Sequence, residues 1–88
     1  MFSVDVVENL TNNEHYRIKF DREGLDNLSD WFRNLSKSML LVQTSKMVRV
    51  SLWSWDMTKN YNSVFFHKYY EVDYFLTGLE TLTTFIEE

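Results

Sequence analysis

The density of aromatic residues between positions 52 and 75 constrains the fold more than any other feature of the chain. Nine of the fifteen aromatic side chains lie in this stretch, on both sides of a segment whose alternating pattern predicts a β-hairpin. One side of the hairpin can join the core. The other side then needs a cover from the same chain or a binding partner, since one aromatic side chain removes about 150–250 Å² from water.

The length and composition indicate one small domain that spans residues 1–88. A chain of this size can bury a genuine core, and the absence of cysteine excludes disulfide bonds and thiolate–metal sites. The first residues lack a basic flank and a long apolar run, so no signal peptide is predicted. The apolar run at residues 39–42 is too short to span a membrane. We therefore expect a cytoplasmic protein without a membrane partner.

The charge of the chain makes nucleic acid an unlikely partner. Thirteen acidic and nine basic residues give a net charge of −4, whereas duplex-binding domains usually carry a positive field that neutralises phosphates. The acidic residues are scattered along the chain rather than grouped in a block. The chain is therefore also a poor mimic of a nucleic acid.

The amino-acid usage indicates an AT-rich source genome. The chain has no alanine, no proline and only two glycines, although ordinary usage is about 7% glycine and 5% proline. These three residue types have GC-rich codons, whereas the plentiful asparagine, tyrosine, phenylalanine and lysine have AT-rich codons. Small proteins of this composition are common among the accessory proteins of phages and other mobile elements.

The first twenty residues predict an antiparallel hairpin. Apolar and polar side chains alternate in two stretches that are separated by a polar loop at residues 9–14. The apolar positions are Phe2, Val4 and Val6 in the first strand and Tyr16, Ile18 and Phe20 in the second. Arg17 and Lys19 fall on the outer face, where we expect salt bridges to Asp5 across the strands; phosphate contact is the alternative.

The period of the apolar pattern changes after Asp21, which is a suitable N-cap for a helix. Apolar residues then recur at intervals of three and four, which predicts an amphipathic helix over residues 22–37. Its stripe consists of Leu25, Leu28, Phe32, Leu35 and Met39, with Trp31 beside it. We expect this stripe to pack in the core rather than to form a binding groove.

Three further strands are predicted between the first helix and the C-terminal region. The apolar run at residues 39–42 suits a short buried strand, and residues 43–46 suit a turn. Val48, Val50 and Leu52 alternate with polar residues and predict the next strand. After a loop at residues 56–62, alternation resumes from residue 64 to residue 73 and predicts the last strand.

The C-terminal region predicts a second helix. Thr77 and Glu80 have capping-box spacing, with Asp73 as an alternative cap for a helix that begins earlier. The predicted buried stripe consists of Leu79, Leu82, Phe85 and Ile86. The element order β-β-α-β-β-β-α predicts an α+β domain with two helices and a largely antiparallel sheet of about five strands.

No motif in the sequence indicates catalysis or a cofactor. Only His15 and His67 could serve as a base for a hydroxyl nucleophile, and no local signature surrounds either residue. His67, Glu71 and Asp73 share one face of the predicted last strand, but about 13 Å separates positions 67 and 71 along a strand, which is too far for one metal ion. We therefore expect a protein that is not an enzyme and that holds no metal or cofactor.

Five aromatic residues form the candidate partner-binding site. They lie on the second face or at the turn of the predicted hairpin: Trp53, Trp55, Tyr61, Phe65 and Tyr69. If the helices pack on opposite faces of the sheet, these side chains belong to the core. If both helices share one face, the aromatic face is open to a partner, which can be a protein or, by base stacking, a single-stranded nucleic acid.

The sequence favours a non-enzymatic protein-binding module. A small, acidic, aromatic-rich domain without a motif suits an inhibitor or immunity-type protein of a phage or mobile element, which blocks a host protein by stoichiometric binding. Its partner would be a foreign protein or a second copy in a homodimer, and a phage-encoded chain would act in the host cytoplasm. The alternatives are a self-associating structural or adaptor subunit and a single-strand nucleic-acid binder that uses the aromatic face.

Overall fold

The computed structural model describes residues 1–42 and 46–78. These residues form four strands and two helices: β1 (Phe2–Asn9), β2 (Asn13–Phe20), α1 (Leu25–Val42), β3 (Met47–Ser54), β4 (Asn60–Phe66) and α2 (Tyr69–Thr77). The strands make one mixed sheet in the order β1-β2-β3-β4. The α+β class is therefore confirmed, but the described sheet has four strands rather than five.

Strands β1 and β2 form the predicted antiparallel hairpin. Phe2 pairs with Phe20 and Val4 pairs with Ile18, so the predicted apolar positions share one face. A β-bulge between Val6 and Glu8 shifts the register near the loop. The expected cross-strand ion pair is also present, with Arg17 Nε 4.0 Å from a carboxylate oxygen of Asp5.

The central strands β2 and β3 run parallel, so the prediction of a largely antiparallel sheet is wrong at this pair. Ile18 pairs with Leu52 and Tyr16 pairs with Val50 in parallel register. Helix α1 connects the two strands, and a crossover helix is the usual way for a chain to return to a neighbouring parallel strand. The sheet is antiparallel only at its two outer pairs.

Asp21 caps the first helical segment, as predicted. Its carboxylate accepts a hydrogen bond of 3.0 Å from the Gly24 N–H, at the start of a short 3-10 turn over Arg22–Gly24. The α-helix then follows without a break. The bond satisfies one of the backbone donors that every helix leaves without a partner at its N-terminus.

Helix α1 continues to Val42, and the predicted strand at residues 39–42 is wrong. Met39 is 6% exposed and Leu41 is 84% exposed, whereas a strand would direct both side chains to the same face. Met39 extends the helical spacing that begins at Leu28, Phe32 and Leu35. A run of four apolar residues does not by itself distinguish the end of a helix from a buried strand.

The last predicted strand is confirmed only over residues 64–66, because β4 ends at Phe66 and α2 begins at Tyr69. The carboxylate of Glu71 explains the change, since it accepts hydrogen bonds from the backbone N–H groups of His67 and Lys68. This is half of a capping box, in which the third helical residue satisfies the donors before the helix. These backbone bonds lower the pKa of Glu71 despite an opposing effect of desolvation.

The predicted caps of the second helix are not used. Asp73 lies inside α2, and Thr77 is its last residue, where the hydroxyl donates a 2.7 Å hydrogen bond to the Tyr74 carbonyl. Glu80 and the predicted stripe of Leu79, Leu82, Phe85 and Ile86 lie outside the described residues, as does most of the predicted turn at 43–46.

The described core lies between one face of the sheet and the two helices. Phe32 of α1 is the central contact, since its ring centroid is 5.7 Å from that of Phe66 in β4 and 4.9 Å from that of Phe75 in α2. Trp31 packs edge-on against Tyr16 in β2 at 5.3 Å. The buried apolar side chains are Ile18, Phe20, Leu28, Phe32, Met39, Val48, Val50, Leu52, Phe66 and Val72.

Alanine substitutions at Met39 and Leu41 test the course of α1. We expect Met39→Ala to lower the free energy of unfolding by about 2–5 kcal/mol, because it leaves a cavity in the core. Leu41→Ala should change it by less than about 0.5 kcal/mol. Urea denaturation monitored by tryptophan fluorescence measures both values. Similar losses for the two variants would contradict the helix and support a strand at residues 39–42.

Candidate functional site

The face of the sheet opposite the two described helices is the candidate site, and we call it the open face. Strand alternation and register assign its members: Asp5 and Glu8 of β1; His15, Arg17 and Lys19 of β2; Arg49, Ser51 and Trp53 of β3; and Ser63 and Phe65 of β4. The described core side chains of the sheet all lie on the other face.

Three of the five predicted aromatic residues lie on the open face or at its edge. Phe65 is 56% exposed there, opposite Arg49 in the pairing of β3 with β4. Trp53 is half-buried, and its indole N–H has no acceptor among the described residues. Trp55 follows β3 in a turn, where its ring lies below the ammonium group of Lys19.

Tyr61, which the sequence places at the turn of the hairpin, lies in β4 and does not join the open face. A register shift between Leu52 and Trp53 leaves Tyr61 as an extra residue in β4. Its ring packs instead against Phe20 of the core, with the centroids 5.6 Å apart. The pattern of aromatic residues does not reveal this bulge. The bulge changes the side of the strand that Tyr61 faces.

Tyr69 is also separated from the open face, because it belongs to α2 rather than to a strand. Its ring contacts Tyr70 with a centroid distance of 6.1 Å, and its carbonyl accepts a hydrogen bond from the Ser36 hydroxyl of α1. Tyr69 is nevertheless 45% exposed. It is therefore a surface residue of the helical layer.

Two basic residues pack against aromatic rings on the open face. The Lys19 Nζ atom lies 4.8 Å from the ring centroid of Trp55, and the Arg49 Cζ atom lies 5.6 Å from that of Phe65. Such cation–π contacts stabilise by about 0.5–1 kcal/mol when exposed. The sequence indicates an outer position for Lys19, but the cation–π pairs depend on strand register and cannot be predicted without it.

The charge of the open face differs from that of the whole chain. Arg17, Lys19 and Arg49 lie on the two central strands, while Asp5 and Glu8 lie on the edge strand β1. The face thus combines a basic centre with an acidic border, although the net charge of the chain is −4. The acidic excess of the chain therefore lies elsewhere.

His15 and Ser51 form a hydrogen-bonded pair inside this face. The His15 Nε2 atom lies 2.9 Å from the Ser51 hydroxyl. Burial lowers the pKa of His15 below its ordinary value of 6.5, and the charges of Arg49 and Arg17 lower it further against an opposing effect of Glu8. Ser51 is only 4% exposed, so its hydroxyl is poorly placed to attack a substrate.

The turn between β3 and β4 is held by Asp56 beside Trp55. Its carboxylate accepts hydrogen bonds from the Ser54 hydroxyl and from both the hydroxyl and the backbone N–H of Thr58, at 2.7 to 3.1 Å. These hydrogen bonds lower the pKa of Asp56 to about 2. The turn gives Trp55 a defined position at the end of the open face.

The residues considered as metal ligands do not share a strand. His67 lies before α2, while Glu71 and Asp73 lie in the helix. Within residues 1–42 and 46–78, no group of three histidine or acidic side chains is arranged to hold a metal ion. The Glu71 carboxylate instead caps α2.

No helix in the part of the chain that the structure describes is long and apolar enough to cross a membrane.

A second surface feature is a groove between β4 and α2. It has a volume of about 880 Å³ and is lined partly by Val64, Phe65, Tyr70, Tyr74 and Phe75, so Phe65 borders both this groove and the open face. Tyr74 is 82% exposed. Sequence reasoning missed this groove because it treated residues 69–73 as part of a strand.

Comparisons with protein-family models, with curated proteins and with solved structures found no match. A proposed function for this chain therefore rests on its own residues and contacts.

The titration of His15 tests the arrangement of charges on the open face. We expect a pKa below 6.5, which Arg49→Gln should raise because it removes a neighbouring positive charge. Since folding favours the neutral imidazole, the stability contribution of His15 is present above pH 6.5 and is lost as the pH falls through the folded pKa. NMR titration of the imidazole carbon-bound protons measures the pKa directly.

Lys37→Gln provides the control, because Lys37 is exposed on α1, on the other side of the sheet. It should leave the pKa of His15 unchanged. A His15 pKa at or above 6.5, or an equal response to both substitutions, would contradict the described cluster.

Proposed function

We propose that this chain is a non-enzymatic protein-binding module that docks on a protein target through its open face. One observation carries the proposal: both described helices pack on the same side of the sheet, and Trp53, Trp55 and Phe65 lie on or beside the other side. Aromatic and arginine side chains dominate the binding energy of protein interfaces. The open face combines both residue types.

The geometry favours binding rather than chemistry. The hydroxyl and imidazole groups closest to a catalytic arrangement, those of Ser51 and His15, are hydrogen-bonded to each other across β2 and β3. The low exposure of Ser51 keeps substrates away from its oxygen. Their hydrogen bond supports the sheet beneath the interface, because it satisfies two polar groups that neighbouring side chains cover.

We further propose that the chain is an inhibitor or immunity-type protein of a phage or mobile element. Such a protein blocks its target by occupying a surface, so one complementary face is sufficient. The small size and an amino-acid usage typical of AT-rich genomes support this setting. The target would be a host protein or a toxin that meets the chain in the host cytoplasm.

A single-strand nucleic-acid binder is the second candidate. The contacts of Lys19 with Trp55 and of Arg49 with Phe65 favour it, since such surfaces combine aromatic platforms for bases with cations for the backbone. The net charge of −4 opposes it. Retention of a labelled oligonucleotide that weakens with salt would support this candidate.

Substitution of Phe65 tests the protein-binding proposal. Phe65→Thr removes the exposed ring and keeps a residue that suits a strand. The native chain should capture its partner from a bacterial host lysate at a near-equal molar ratio, which mass spectrometry quantifies. We expect Phe65→Thr to abolish this capture. Its free energy of unfolding should fall by less than about 1 kcal/mol, because the lost contact with Arg49 is a surface contact.

Two neighbouring aromatic residues provide matched controls. Tyr74→Ala removes an exposed ring of α2 that lines the same groove as Phe65 but is not part of the open face, and it should retain capture if the open face rather than the groove binds the partner. Phe66→Ala removes a core ring and should lower the free energy of unfolding by about 3–5 kcal/mol. Undiminished capture by Phe65→Thr, or equal loss in Phe65→Thr and Tyr74→Ala, would contradict the assignment of the site. Self-association alone would indicate a structural subunit instead.

A further inference from the structure

We infer that the partner of the open face presents a row of carboxylates to Arg17, Lys19 and Arg49. This inference rests on the proposed function and adds the chemistry of the partner to it. The occupant is therefore an acidic patch on a folded protein. Neither a neutral apolar surface nor a polyphosphate backbone fits the charges of the face equally well.

The three cations lie in a row along the two central strands. Arg17 and Lys19 are two residues apart on the same side of β2, which corresponds to about 6.6 Å along a strand. Arg49 of β3 pairs with His15, the next open-face residue of β2 before Arg17. Lys19 and Arg49 are therefore separated by about 13 Å along the strands and about 4.8 Å across them, so an acidic surface must extend over roughly 14 Å to contact all three side chains.

Two of these cations are restrained before a partner arrives. Arg49 packs on Phe65 and Lys19 packs on Trp55, and each ring limits the conformations of the long side chain that lies over it. Ordering a free side chain at an interface costs conformational entropy. The aromatic rings therefore lower the entropy cost of forming ion pairs with carboxylates, in addition to their own contact with the partner.

The acidic border favours a partner that is confined to the central strands over a nucleic acid. Asp5, which forms the ion pair with Arg17, and Glu8 follow the β1 side of the basic centre, and a phosphate backbone that crossed the strands would pass close to them. A row of carboxylates along β2 and β3 can match the cations and stop short of β1.

His15 adds no positive charge to this centre at neutral pH. Burial, together with the charges of Arg49 and Arg17, holds its pKa below the ordinary value of 6.5 against the opposing effect of Glu8, so the ring is neutral at pH 7. Complementarity at neutral pH therefore depends on Arg17, Lys19 and Arg49. Charge reversal at two of them should change the sign of the centre.

The test compares two double charge reversals that change the net charge equally. Lys19→Glu with Arg49→Glu reverses the open face, and Arg33→Glu with Lys37→Glu reverses exposed positions on α1. Poly-L-glutamate and an oligo-dT strand of matched length serve as probes at low ionic strength. Tryptophan fluorescence reports binding, and circular dichroism verifies that each variant is folded.

We expect the native chain to bind poly-L-glutamate more tightly than oligo-dT, with an affinity that falls as salt is added. The open-face reversal should weaken this binding at least about ten-fold, while the α1 reversal should keep most of it. Three results would overturn the inference: no binding of poly-L-glutamate, equal losses in the two double variants, or tighter binding of oligo-dT that the open-face reversal abolishes.

The captured protein separates failure of this inference from failure of the proposed function. If Phe65→Thr loses capture and the open-face reversal retains it, the face binds a protein, but carboxylates do not select it. If both variants retain capture, the open face is not the docking surface and the proposed function is wrong. Loss in both, with retention by the α1 reversal, supports the proposal and the inference together.

Discussion

The packing of Phe32 against Phe66 and Phe75 is the interaction on which the rest of the structure depends. It joins α1, the edge strand β4 and α2 in one aromatic cluster, and so it holds both described helices on the same side of the sheet. Ring pairs at these distances contribute about 0.5–1.5 kcal/mol beyond their burial. Among the described residues the open face is a direct consequence, because two helices that share one side of the sheet do not cover the other.

The properties of the open face follow from register rather than from composition. The chain as a whole is acidic, but the pairing of β2 with β3 places Arg17, Lys19 and Arg49 on adjacent strands of one surface. The pairing of β3 with β4 then sets Phe65 beside Arg49. A surface that differs in charge from the rest of its chain is suited to orient an approaching partner, since complementary fields accelerate encounter and penalise wrong orientations.

Much of the fold could be predicted from local patterns, and the failures have identifiable causes. Alternation predicted the β1–β2 hairpin and the buried side of β3, and Asp21 marked the first helical segment. The apolar run at residues 39–42 suits a strand by its length, although Met39 continues the helical spacing. An extra strand at this point separates the helix from β3, so the parallel pairing of β2 with β3 is not predicted.

The start of the second helix is predicted too late, because Lys68 is not a typical N-cap. The signal for the earlier start is Glu71, whose carboxylate caps the backbone. The positions of Tyr61 and Tyr69 depend on strand register and on where α2 begins, and residue type alone does not encode either.

Thiol labelling at single cysteines tests the central claim most directly, because the chain has no cysteine of its own. A cysteine in place of Phe65 should react with a maleimide nearly as fast as a thiol in an unfolded peptide. A cysteine in place of Val50, on the helix-covered side of the central strand β3, should react more slowly by roughly the factor set by the unfolding equilibrium. This result would establish that the folded chain leaves one side of its sheet open. Strong protection of the thiol at position 65 in the isolated protein would contradict the account.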